Sequence, residues 1–303
     1  MKPPLSPRGA AFSLAGSMLL VGAYVSAAPL LLAWFPLAVL ASLRFLLAGL
    51  LMLPWLRRPA GAPPLRPWEH GLLFVQALFG NVLFTVLMLE GVARGGALLA
   101  GSVMAALPAA VALLAWALLG EKPGPRVGGA VALGGAGIAL LAWLRHAGPG
   151  AATEPWGLPL LLGALACEAL QAVLGKHLSG RHPPRFITAG INLWCLVLCL
   201  PLGLAALPAW PAAAVPAGAW AGLLAYALMA SVLAVWLWMR GLSVLPASTA
   251  GLFTVLLPLS AAAVGLLVGG ERAGPGHALA YALALGGLLL GVMPARRQGG
   301  RGA

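Results

Sequence analysis

Gly91–Pro125, GVARGGALLAGSVMAALPAAVALLAWALLGEKPGP, returns 150 residues later and without a gap as Gly241–Pro275, GLSVLPASTAGLFTVLLPLSAAAVGLLVGGERAGP. Eleven of the 35 aligned positions are identical. Alanine, leucine and glycine would match often by chance in such a chain, so the scarce residues decide. Pro108 meets Pro258, Glu121 meets Glu271, Lys122 meets Arg272, and Gly124-Pro125 meets Gly274-Pro275. Each copy is a long apolar segment with a central proline, closed by Gly-Glu-basic and a Gly-Pro turn. A period this long is too large for a solenoid and suits a duplicated half-protein.

The chain around the repeat is 61% hydrophobic and 8% charged, with six glutamates and no aspartate. A soluble domain could not hide that much apolar surface, so the composition predicts an integral membrane protein. Helical crossing of a hydrocarbon core needs about 18 or more predominantly apolar residues. Ten runs qualify, near 10–28, 36–55, 71–89, 96–119, 127–144, 156–177, 186–206, 217–239, 246–268 and 276–294. With five per half, the second half enters the bilayer from the opposite face. The expected fold is an all-α membrane protein of ten transmembrane helices in two inverted five-helix repeats, residues 1–147 and 148–303.

The net charge of +12 does not form a nucleic-acid patch. With the N-terminus inside, fourteen Lys and Arg fall on the cytoplasmic side and three, Arg94, Arg145 and Arg272, on the other, while Arg44 stands in mid-span. The positive-inside rule then places both termini in the cytoplasm. Lys176, Arg181, Arg185 and the pair Arg57/Arg58 read as anchors for anionic headgroups. Trp34, Trp143, Trp156, Trp210 and Trp220 near exterior boundaries, and Trp55 and Trp68 near interior ones, read as interfacial anchors; Trp194, Trp236 and Trp238 lie deeper.

The first thirty residues imitate a secretory signal, but residues 16–29 have a counterpart at 163–176, so they are expected to be the first span. Cys167, Cys195 and Cys199 fall in spans and read as small hydrophobes, with no disulfide or metal framework. The segment from Arg145 to Pro155 is a connector. Gly128, Gly129, Gly134, Gly135 and Gly137 in span five, and Gly286, Gly287 and Gly291 in span ten, predict a tight helix contact within the chain or a homodimer seam.

Glu168 lies near the centre of span six. A carboxylate there costs about 2.5–3.5 kcal/mol to insert, which the seven leucines of that span offset at roughly 0.3–0.6 kcal/mol each. Such a group normally faces a bundle interior or a wet cavity, and Gly157, Ala164, Gln171 and Gly175 share its face. It either exchanges protons or is a neutral acid bonded to Gln171 or a backbone carbonyl. Arg44, central in span two and opposite Asn192 in the other half, either pairs with Glu168, meets an anionic substrate group or ties helices together. Matched polar pairs recur at equal depth: Gln76 with Tyr226, Asn81 with Ser231, Tyr24 with Gln171. A two-fold arrangement would bring them to one chamber. Pro108 and Pro258 are expected to break spans four and nine, freeing the carbonyls of Met104 and Thr254.

No phosphate-binding Gly-x-x-x-x-Gly-Lys loop is present, all five histidines lie in or beside loops, and aspartyl chemistry is unavailable. The sequence therefore predicts a protein that is not an enzyme, with no cofactor and no metal.

Ten spans in two halves, mid-span prolines in four and nine, and Gly120-Glu121-Lys122 with Gly270-Glu271-Arg272 closing those spans resemble the EamA-like family of the drug/metabolite transporter superfamily over nearly the whole length. Arg44 is similar to an arginine of that family's second span. The resemblance implies an inner-membrane exporter of amino acids or other small metabolites, with a cavity built from both halves and alternating access. Val21-Gly22, where many relatives have Trp-Gly, and the charges Glu90 and Arg94 depart from the pattern, so substrate identity is not carried over. The expected reading is a secondary transporter of small molecules, coupled to protons through Glu168 with Arg44 beside it, and with Tyr24, Gln76, Asn81, Gln171, Tyr226 and Ser231 contacting solute. An uncoupled facilitator and a non-transporting scaffold are the alternatives. Its partners are the solute, membrane lipids and, through spans five and ten, a second copy.

Overall fold

The computed structural model describes residues 5–57, 65–145, 154–268 and 275–292, and every regular element among them is helical. The helices are α1 Pro7–Leu32, α2 Leu37–Met52, α3 Pro67–Ala77, α4 Phe84–Met104, α5 Leu107–Leu119, α6 Pro125–Arg145, α7 Gly157–Ser179, α8 Pro184–Ala206, α9 Ala217–Ala227, α10 Ala234–Leu242, α11 Ala247–Leu252, α12 Leu256–Val268 and α13 Pro275–Val292. Prolines open α1, α3, α5 and α8, where a missing N–H costs nothing. Gly120 ends α5 at φ 69°, the left-handed cap that a residue with a Cβ resists.

Among the described residues six helical runs are long and apolar enough to cross a bilayer: Pro7–Leu32, Leu37–Leu56, Pro67–Gly95, Gly157–Ser179, Pro184–Ala209 and Ala217–Leu242. Shorter apolar helices stand at Leu107–Leu119, Pro125–Leu140, Ala247–Ser260 and Ala278–Val292, where spans four, five, nine and ten are expected. The chain is a multi-pass membrane protein. Leucines such as Leu30, Leu50, Leu202 and Leu289 are exposed on its outside, as lipid contact requires.

The main helix pairs recur when the halves are exchanged. α1 packs on α10 and α12, while α7 packs on α4 and α5. Between these, α2 lies against α8 and α6 against α13. The opening helix of each half is thus held by the other half. The backbone keeps the same register: α3 leads into a π-helical segment at Leu78–Leu83, and α9 leads into another at Leu228–Leu233, 150 residues on. Such wide turns displace the hydrogen-bond ladder and commonly mark functional positions.

The glycine seam is used within the chain. A Cβ on Gly137 would stand 2.6 Å from the Ala284 nitrogen, and one on Gly287 2.6 Å from the Gly134 nitrogen. These two positions are also 150 apart, and they let α6 and α13 touch backbone to backbone. Hydroxyls add ties between helices: Ser17 Oγ donates to the Ala234 carbonyl at 2.8 Å, and Ser42 Oγ to that of Cys199 at 2.8 Å. Cys167, Cys195 and Cys199 are free and buried.

The breaks differ from expectation in position. α4 ends at Met104 and α5 begins at Leu107, so Pro108 sits in the first turn of a new helix instead of kinking an old one. Before Pro258 the chain tightens into a 3₁₀ turn at Phe253–Val255, and the proline is the third residue of α12. A proline ring is tolerated in a first turn, so the helices stop upstream and restart at it. Glu271, Arg272 and most of the connector between the halves lie outside the described residues.

Candidate functional site

Tyr24 of α1, Arg44 of α2, Glu168 of α7 and Tyr226 of α9 come together inside the bundle, two from each half. The Tyr24 and Tyr226 rings meet edge to face at 5.4 Å, and the Arg44 guanidinium lies over Tyr226 at 5.7 Å and over Phe45 at 4.2 Å. Tyr24 is within electrostatic reach of both Arg44 and Glu168. Arg44 also acts on Cys195 and Cys199 of α8, which places its charge against the facing half.

No salt bridge joins Arg44 to Glu168, and the Glu168 carboxylate has no hydrogen-bond partner among the described residues. Arg44 Nε, sealed from solvent, is likewise unpartnered. Tyr24, Arg44, Glu168 and Gln171 are nevertheless only half-buried. Two ionisable groups of opposite sign, each within reach of Tyr24 but not paired with one another, on a surface with two aromatic rings, can take a ligand that carries both signs. A buried charge without a partner is costly, and a ligand that supplies one recovers that cost.

The other expected pairs divide. Gln76 is fully buried, and its Nε2 donates to the Gln171 carbonyl at 2.9 Å, leaving Oε1 without a partner. The Gln171 side chain lies against the bare Cα of Gly80 in the first π segment. Ser231 is buried in the second π segment, where its carbonyl accepts from Asn192 Nδ2 at 3.0 Å, and both Ser231 Oγ and Asn192 Oδ1 are unsatisfied. Asn81 is half-buried, and its carbonyl takes the Thr85 hydroxyl at 2.5 Å. Gln76, Asn192 and Ser231 therefore hold helices together around the π segments, while Tyr24, Glu168 and Gln171 keep accessible surface.

Two functional groups escape sequence reasoning. Glu121, read from sequence only as part of the motif that closes the repeat, accepts the amides of Ala247 and Ser248 and the Ser248 hydroxyl, each at 3.0 Å, and so caps α11 from the other half. Lys176, read as a headgroup anchor, instead donates to the carbonyls of Leu242 and Leu245 at 2.8 Å each. Between them, these side chains satisfy both ends of the break at Ser243–Pro246. Glu69 is the second group: it accepts from its own Arg66 N–H at 2.8 Å and meets His182 Nε2 at 3.0 Å. The Arg66-Pro67-Trp68-Glu69 order, with an acid three residues into the helix, is a capping signal that could have shown half of this. At the opposite end Arg94 pairs with Glu90 at 3.0 Å and Glu154 at 3.5 Å, all exposed.

Comparison with known proteins fits this two-fold build. The profile of the EamA-like transporter family matches the chain twice, over residues 8–143 and 155–293. The chain belongs to that family. It is 28% identical over 287 residues to "Uncharacterized transporter YetK" of Bacillus subtilis (strain 168), covering 94% of this chain and 87% of the relative. "Uncharacterized transporter YwfM" of the same organism is 28% identical over 270 residues, covering 87% of this chain and 86% of its own. A solved crystal structure superposes with a TM-score of 0.74 at 20% identity, covering 94% of this chain and 96% of that one, a likeness of fold. The transporter is thus a multi-pass membrane protein of the drug/metabolite type.

Proposed function

We propose that this transporter is a secondary exporter of the inner membrane that carries amino acids or related zwitterionic metabolites in exchange for protons. Its ten spans form two inverted five-helix repeats with both termini in the cytoplasm. The observation that carries the reading is Arg44, its Nε unpartnered, and Glu168, not paired with each other and both in reach of Tyr24 beside Tyr226 at the junction of the halves. Arg44 receives the substrate carboxylate, Glu168 the ammonium or, in exchange, a proton, and the tyrosines the apolar body. Tyr24 and Gln171 complete the contact surface, with Asn81, Gln76 and Ser231 behind it.

Alternating access then requires each half to close one membrane face in turn. Glu121 and Lys176 close the cytoplasmic end here by holding the α10–α11 break against α5 and α7. Opening that face means releasing the Glu121 cap. Flux of radiolabelled neutral amino acids in proteoliposomes tests the proposal. Wild type responds to an imposed pH gradient, Arg44→Leu loses transport, and Glu168→Gln loses transport or its pH dependence. Proton-coupled flux unchanged in Glu168→Gln removes that residue from the mechanism, and flux without any response to the gradient makes the protein a facilitator.

A further inference from the structure

On the lipid face between α2 and α8 lies an apolar groove of about 90 Å³, lined by Leu46, Gly49, Leu53, Ala189, Leu193 and Leu196 among others. Its walls follow one stripe of each helix. Arg185, Ala189, Leu193 and Leu196 succeed one another on α8 at helical spacing, so the groove leads to Arg185 at one end. On the facing side the same end is reached where α2 runs on into Leu53–Leu56, the short 3₁₀ turn that carries Trp55 and leads to Arg57.

That end is cationic and aromatic. The Arg185 guanidinium lies 5.6 Å from the Trp55 ring and 6.0 Å from Trp236, the two rings are 6.2 Å apart, and Arg240 covers Trp236 at 5.4 Å. Trp236 is therefore part of this boundary cluster and not of the interior. None of Arg57, Arg185 and Arg240 is in a salt bridge with a described residue. Two guanidinium groups, Arg185 and Arg240, with no acid paired to them among the described residues and set against indole rings at the mouth of an apolar channel, call for an anion and a chain to fill the space behind it.

We propose that this groove binds one anionic glycerophospholipid, with its phosphate on Arg185 and Arg240 and an acyl chain laid along α2 and α8. Guanidinium forks recognise phosphate oxygens by paired hydrogen bonds, and indole rings settle at headgroup depth. Gly49 keeps the channel open: a Cβ there would meet only Leu196, at 3.9 Å, so a larger side chain can enter the groove without colliding with backbone. The site stands apart from the transport reading, because it lies on the outer surface and uses none of the interior residues.

The test is native mass spectrometry of the full-length protein extracted from vesicles of equal phosphatidylglycerol and phosphatidylethanolamine. Wild type is expected to retain one phosphatidylglycerol per chain in preference to the zwitterionic lipid. Arg185→Gln/Arg240→Gln should lower that retention roughly tenfold or more. Gly49→Leu, which leaves every arginine in place, should also lower it by filling the channel. Glycerol phosphate at the same concentration should not be retained, since it has no chain for the groove. Equal retention of the two lipids by wild type, unchanged retention in either variant, or equal retention of glycerol phosphate overturns the proposal.

Discussion

α4 and the α10–α11 pair occupy matching places in the two copies of one stretch, yet only the second is broken. α4 runs unbroken from Phe84 to Met104, whereas its counterpart stops at Leu242, turns through Ser243–Pro246 and restarts at Ala247. Two substitutions explain the difference. Pro246 stands where the first copy has Gly96, and proline both lacks the N–H and pushes the residue before it out of the helical region. Lys176, which holds the freed carbonyls of Leu242 and Leu245, has Pro29 as its counterpart and so no cation in the first half. Glu121, which holds the freed amides, is matched by Glu271, so the anion was kept on both sides. One copy carries a permanent, satisfied break; the other carries a glycine pair, Gly95-Gly96, inside a continuous helix.

Where the copies agree, matched substitutions should do equal harm. Gly137→Leu and Gly287→Leu each drive a side chain into opposing backbone, and each should cost more than the ~1–3 kcal/mol of an overpacked core. Size-exclusion profiles and thermal unfolding should show both variants losing folded protein alike. If only one suffers, the α6–α13 seam is not two-fold.

Where the copies differ, the harm should be unequal. Glu121→Ala uncaps α11 and leaves Lys176 without its nearby anion, which should cost roughly 2 kcal/mol and lower the thermal midpoint by several degrees. By sequence register Glu271 answers to α4, which is unbroken and frees no amides, so Glu271→Ala should change stability by ~0.5 kcal/mol or less. Equal losses would mean that the first copy is broken as well.

The smallest expected effect is kinetic. Gly96→Ala should favour the unbroken α4 by about 1 kcal/mol, slowing transport about fivefold if turnover requires α4 to break there. An unchanged rate would show that the glycine pair is passive.

Much of the fold was legible because duplication and apolar periodicity are local signals: the register of Pro108 with Pro258, and of Gln76 with Tyr226, reads straight off the chain. The two π segments were not, since nothing in Leu78–Leu83 or Leu228–Leu233 announces a wider turn. Nor was the Glu121 cap, because its acceptor and donors are 126 residues apart and meet only after α5 and α11 have packed. Lys176 misled for a related reason. A lysine at a helix end near a membrane boundary is usually solvated, and only the neighbouring break, with its freed carbonyls, draws it inward. Of the candidate site, Glu168, Tyr24 and Arg44 stand out as polar groups in apolar spans, whereas the separation of Gln76 and Ser231 into helix ties depends on hydrogen bonds that spacing does not encode.

The most direct measurement is thiol labelling in sided proteoliposomes, after Cys167, Cys195 and Cys199 are replaced by alanine. A single cysteine at Tyr24 or Gln171 should react with a membrane-impermeant maleimide from one face only. Adding Glu121→Ala should make the same cysteine reactive from the cytoplasmic face as well. No labelling from either face, before or after removal of the Glu121 cap, would contradict a wetted centre between the two halves.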